Sequence, residues 1–275
     1  MKKSISRLIV IMLSMMLFMT HPVTTQAKAA NTYSKYVKQN GVYYNKMPKK
    51  YRKGYSIART EYQQNRSTGY GTSMVEVLGK ILYLQDHTSA FTNSSKALSV
   101  SASKKTYNKA KRLARSAKGS KYTKALILHD KLMEYVTYDE SGKYGGQSAY
   151  EALINRKAVC SGIARAYKLM CDIVGIKCYC VYGNAGEGFG SGGAHQWNII
   201  QLDDGEWYEV DVTFDMSFNS HDFFCLSTDE MANVTVDGVP YFHERTGLDQ
   251  ATNLFMRITP TANGVQFSSN QNKVK

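Results

Sequence analysis

The sequence predicts an α+β fold in which a helix opening on a cysteine packs against an antiparallel sheet. Three observations lead there. After Cys160, "SGIARAYKLMCDIVG" sets Ile163, Tyr167, Met170 and Val174 on one helical stripe, with Gly175 placed to end it. "IKCYCVYG" then alternates like a strand. "AHQWNIIQL" and "EWYEVDVTF" read as two more strands around Asp203-Asp204-Gly205. With 275 residues, 43% hydrophobic and 21% charged, the chain is long enough to bury a sizeable core and is neither disordered nor fibrous.

Taken in order, the elements begin with an export signal. "MKKSISR" is basic, "LIVIMLSMMLFM" is an apolar run of 12 residues, and Ala27-Lys28-Ala29 supplies small residues for cleavage. Residues 1–29 therefore read as a signal peptide, with an uncleaved anchor as the alternative, and the mature chain as secreted or held at the cell surface. Residues 30–121 form a Tyr- and Lys-rich, mainly helical region. Val75, Leu78, Leu82 and Tyr83 fall at helical intervals, and "KKTYNKAKRLARSAKG" reads as a basic helix ended by Gly119. Over residues 30–124 there are 20 basic and 3 acidic residues, whereas residues 125–275 hold 11 basic and 19 acidic. The formal charge of +13 thus averages two unlike halves.

Residues 122–250 read as the catalytic domain and 251–275 as a C-terminal strand or tail. Leu128 and Leu132, with Tyr135 or Val136, share a helical face in "YTKALILHDKLMEYVTYD". A second helix is expected at "SAYEALINRKA". Residues 183–193, with six glycines, read as a mobile flap before His195. The turn Asp203-Asp204-Gly205 suits a three-residue loop with a left-handed glycine. That register sets Trp197 opposite Asp211 and His195 opposite Thr213, so His195 and Asp211 lie diagonally on one face within side-chain reach.

Cys160, His195 and Asp211 then form a coherent set. A helix N-terminus and an imidazolium both favour a thiolate. Backbone N–H groups around Cys160 and Ser161 can stabilise an oxyanion, and Gly162 leaves room for a substrate backbone. Asp211 fixes the tautomer and orientation of His195.

The blocks "LILHDKLMEYVTYD", "YEALINRKAVCSGIARAYKLM", "VGIKCYCVYG", "AHQWNIIQLDDGEWYEVDVTFD" and "HDFFCLSTDEM" resemble the transglutaminase-like superfamily, which has a papain-like fold. The resemblance covers about residues 122–232. It implies Cys160 as nucleophile, His195 as general base and acid, and Asp211 as the partner of His195. It further implies a side-chain oxyanion donor upstream of the cysteine, for which Gln147 and Tyr150 both qualify. No part of residues 30–121 shares in it.

The remaining motifs read as structural. Cys171, Cys178, Cys180 and Cys225 are expected as small buried side chains, and Trp197 and Trp207 as core or hairpin packing. Ser227 with Glu230 forms a capping box, and His129 and His221 are structural. Metal-ligand spacing is absent, so neither a metal nor a cofactor is implied. The expected activity is acyl transfer at a peptide or glutamine amide, with water as acceptor giving a peptidase or amidase and a lysine amine giving cross-links. The resemblance leans toward hydrolysis. A non-enzymatic cell-wall or surface-binding module on the same scaffold is the alternative. The basic half suits an anionic cell-wall polymer or membrane surface, or else covers the acidic half as a pro-segment. Nucleic acid fits export poorly and is not expected.

Overall fold

The computed structural model describes residues 92–93, 96–97, 100–141, 147–188, 192–246 and 259–268. The signal peptide, the helix expected around Val75–Tyr83 and most of the basic region lie outside the described residues. Two short strands, β1 (Thr92–Asn93) and β2 (Lys96–Ala97), form an antiparallel pair.

The basic helix is α1 (Val100–Ala114), which stops before the expected Gly119. Its inner face is small: Thr106, Ala110 and Ala114 are buried, so its lysines and arginines ride on a helix built into the main core. Gly119 adopts φ 101 in the turn that follows, a conformation open to glycine. Ser120 then caps α2 (Lys121–Tyr135) by accepting the Thr123 N–H. Leu128 and Leu132 are fully buried on α2, and Val136 is buried just past its end.

β3 (Thr137–Tyr138) runs parallel to β4 (Lys157–Ala158). The helix expected at "SAYEALINRKA" is a short helical segment whose last turn is π-helical, Glu151–Asn155. Arg156 ends it at φ 59, and the chain turns at once into β4. Helix α3 (Cys160–Val174) begins two residues later. Ile163, Tyr167 and Met170 of the expected stripe are fully buried, and Gly175 closes the helix at φ 83. Burial extends round most of α3 from Gly162 to Cys171, so it is a central helix and not a surface one.

A six-stranded antiparallel sheet, in order β8-β7-β6-β5-β10-β9, backs this helix. Its strands are β5 (Lys177–Glu187), β6 (Gly193–Gln201), β7 (Trp207–Val210), β8 (Phe224–Leu226), β9 (Val234–Val236) and β10 (Val239–Glu244). On one face Cys178, Ile200, Tyr208 and Val210 pack with α1, α2 and α3. On the other, Val181, Trp197, Ile199, Phe223 and Leu226 form a second core. The alternation of apolar residues toward both faces is that of a sheet covered on both sides. Asn198 ties the layers together, since its Nδ2 donates to the Ala164 carbonyl of α3 at 3.0 Å.

Of the flap expected over residues 183–193, residues 183–187 are strand and residues 189–191 lie outside the described residues. Gly183 pairs with His195, Asn184 with Ala194 and Ala185 with Gly193, while Ala185, Gly186 and Glu187 pair with β10 on the other side. Glycine is needed at Gly183 for close approach: a Cβ there would stand 1.8 Å from the Glu244 carbonyl oxygen. The β6–β7 hairpin has the expected register, with Asn198 opposite Val210 and Gln201 opposite Trp207. Gly205 takes φ 85 in its turn. The second strand, however, ends at Val210, and Asp211 caps helix α4 (Val212–Phe218).

A last helical turn, α5 (Thr228–Met231), carries the expected Ser227–Glu230 capping box. Residues 259–268 lie on the core without helix or strand. Ala262 is buried, and Phe267 stacks on Tyr122 with centroids 5.1 Å apart.

Candidate active site

Cys160 is the first residue of α3. Extended Val159 precedes it, offers no side-chain cap, and takes the N–H groups of Gly162 and Ile163 on its carbonyl at 3.0 and 3.1 Å. The N–H groups of Cys160 and Ser161 therefore lie outside the helix ladder, at its positive end. The half-buried sulfur hydrogen-bonds with the His195 ring and the Gln196 backbone N–H. Burial opposes its ionisation and the Asp211 charge opposes it slightly, but His195 and the Gln196 N–H outweigh both. The thiol is held below its ordinary value.

His195 lies near the start of β6, directly across from Gly183. Its Nε2 is 2.6 Å from Asp211 Oδ2, which leaves Nδ1 for the sulfur. Burial favours the neutral ring, yet the charge and hydrogen bond of Asp211, joined by those of Cys160, push His195 up to about 10. Asp211 is 1% exposed. Burial works against its charge, but His195 first and His243 second hold its carboxyl well below the usual carboxylate range. All three shifts act in the direction of a thiolate, an imidazolium and a carboxylate in series.

Asp211 also has a local reason for its place. Its Oδ1 accepts the Thr213 and Phe214 N–H groups at 2.9 and 3.2 Å, as a helix N-cap should. Its own N–H donates to the Phe223 carbonyl at 2.9 Å. One carboxylate thus starts α4 with one oxygen and orients imidazole with the other.

Sequence reasoning brought Cys160, His195 and Asp211 together and missed two neighbours. The Tyr138 hydroxyl accepts the Cys160 backbone N–H. Burial, with the charges of Cys160 and Asp211, raises the phenol, so its O–H stays protonated beside the Cys160 N–H. Only the β3–β4 pairing, Tyr138 beside Ala158, brings it there. The second is His243 of β10, fully buried, with Nε2 2.7 Å from Asp211 Oδ2. Of the two upstream residues expected as side-chain donors, the Gln147 backbone carbonyl accepts from Arg165 at 2.6 Å and the Tyr150 backbone N–H donates to Ser148 Oγ at 3.2 Å, contacts that involve neither side chain.

Trp197 is buried, with its Nε1 donating to Glu209 at 2.6 Å, and its ring stacks on His195 at 5.8 Å. Trp207 is half-buried against Tyr179. Cys171, Cys178, Cys180 and Cys225 are buried thiols outside any disulfide. Burial pushes Cys180 up to about 12 and also raises Cys178 and Cys225, which makes these three poor nucleophiles beside Cys160. A second histidine network lies behind α4: His129 Nε2 is 2.9 Å from Asp215, and His221 Nε2 is 2.7 Å from Asp130. Among the described residues, two sets have ligand atoms spaced for a metal ion: His129–Asp130–His221 and His195–Asp211–His243. In the second set both Nε2 atoms meet one carboxylate oxygen at hydrogen-bond distance, and the ligand atoms already satisfy one another.

Residues 107–212 match the model of the transglutaminase-like superfamily, a span running from α1 through all three site residues. This segment belongs to that superfamily. Two solved structures are similar at 15% identity and a TM-score of 0.35. One is a TGase, with 56% of this chain covering 36% of that one. The other is a candidate cysteine protease from Cytophaga hutchinsonii, with 50% covering 41%. The chain therefore spans well under half the length of either. No curated protein matches it. Within the transglutaminase-like core, the helix bearing Cys160 and the strand bearing His195 meet in the mixed helix and antiparallel-sheet arrangement described above.

Proposed function

We propose that this chain is an exported thiol enzyme that transfers acyl groups from a peptide or glutamine amide through Cys160, His195 and Asp211. The observation that carries the reading is the chain of contacts from the Cys160 sulfur through the His195 ring to Asp211 Oδ2, the last at 2.6 Å. The thiolate attacks the amide carbon, and the oxyanion forms beside the Cys160 N–H and the Tyr138 hydroxyl. The imidazolium of His195 protonates the departing amine as the tetrahedral centre collapses to a thioester. His195, now neutral, takes a proton from the incoming water or amine, and the second collapse releases the product and restores the thiolate. Hydrolysis is the favoured outcome.

A glutamine-containing peptide incubated with the enzyme, with and without a primary amine, tests the reading. Ammonia or new peptide termini, lost in Cys160→Ala, are expected. Amine incorporation would assign cross-linking instead, and no Cys160-dependent product of either kind would count against the enzyme. The basic region 30–121 would bring the enzyme to an anionic wall polymer or membrane surface. Salt-sensitive retention of the full chain on such material supports that role, and retention indifferent to salt argues against it.

A further inference from the structure

His243 touches the centre of this site and has no role in the chemistry above. It lies on β10, two strands from His195, with Ala185 of β5 as its register partner. It is enclosed by rings: Phe214 at 4.6 Å, Trp197 at 5.1 Å, Phe223 at 5.5 Å and His195 at 5.6 Å between centroids. Its Nε2 reaches the same oxygen, Asp211 Oδ2, that His195 uses. Its Nδ1 is buried and lacks a hydrogen-bond partner.

These facts fix which ring nitrogen faces Asp211. A hydrogen bond to the carboxylate requires a proton on Nε2. His243 therefore donates from Nε2 to Asp211 Oδ2.

We infer that His243 is a positioning residue that clamps Asp211 from the side opposite His195, an inference that rests on the proposed acyl-transfer reading. The cap bonds hold only Oδ1 and leave the carboxylate free to swing about them. A donor from β10 fixes the position of Oδ2, and so the plane in which the His195 ring is held. The same bond takes part of the charge that would otherwise bear on His195 alone, which eases proton release from the imidazolium to the leaving amine.

The test compares His243→Phe, which keeps a ring in the aromatic box without a donor, with His243→Gln, whose amide nitrogen replaces Nε2–H. Cys160 is acylated with an activated acetyl ester and its deacylation followed, beside its alkylation by iodoacetamide at pH 7. In H243F, deacylation should slow by about 10- to 100-fold, the usual cost of a misplaced catalytic group. Alkylation, which needs only the thiolate, should stay within about 3-fold, and H243Q should recover most of the loss. Equal deacylation in H243F and wild type, or no recovery in H243Q, would overturn the assignment. Because H243F need not fold, nitrogen NMR of the wild-type protein gives an independent check. At pH 7 His243 Nε2 should carry a proton hydrogen-bonded to Asp211, and an unprotonated Nε2 would overturn the assignment. A wild-type protein whose Cys160 is not acylated at all would instead defeat the acyl-transfer reading.

Discussion

Replacing His195 with glutamine isolates what its charge does for Cys160. Glutamine can still donate to Asp211 Oδ2, so the buried carboxylate keeps a partner while the imidazolium is lost. In the native protein His195 overcomes both the burial of the sulfur and the Asp211 charge. Without it those two remain, offset only by the Gln196 N–H, and the thiol returns to about its reference value of 9.0 or above. A thiol at that value is ionised to only about one part in a thousand at pH 6. The more basic thiolate is a better nucleophile, which recovers part of the loss. Iodoacetamide alkylation of Cys160 at pH 6, followed by peptide mapping, should therefore fall about 10- to 100-fold in H195Q. The native profile should stay flat from the depressed thiol value up toward about 10, where His195 loses its proton. The variant should catch up only above pH 9. Alkylation of H195Q at the native rate at pH 6 would refute the ion-pair reasoning.

Two further outcomes follow from the same geometry. Tyr138→Phe removes an O–H beside the Cys160 N–H, so acylation by an activated ester should drop about 10- to 100-fold. Alkylation, which forms no oxyanion, should change by less than about 3-fold, and equal losses in both would remove Tyr138 from the oxyanion region. Gly183→Ala forces a Cβ to within 1.8 Å of the Glu244 carbonyl. It should cost about 1–3 kcal/mol or more in denaturant unfolding by pushing β10 away from β5; native stability would mean that the strands are not so closely apposed.

The site was legible where local chemistry dictated geometry. The turn Asp203-Asp204-Gly205 set the hairpin register, and the observed pairs follow it from Gln201–Trp207 to Asn198–Val210. Asp211 then reached His195 by leaving the sheet: its side chain found the Thr213 and Phe214 N–H groups and capped a helix where continued strand was expected. The stripe of α3 and its glycine stop were equally readable, because period and cap act within a few residues. Residues 183–187 were misread for the opposite reason. Glycine usually marks a turn, but at Gly183 it answers the Glu244 backbone, which is distant in sequence. Tyr138 and His243 were hidden the same way, since each joins the site through strand pairing and not through a local motif. In "VPYFHE", a buried histidine between exposed Glu244 and half-buried Phe242 was the available hint.

The most direct test of the account is brief treatment of the native protein with an activated acetyl ester near pH 6.5, followed by mass mapping of the adduct. A single acetyl group on Cys160, lost again on adding hydroxylamine, is the predicted result. Acetyl groups scattered over lysines, with Cys160 unmodified, would contradict it.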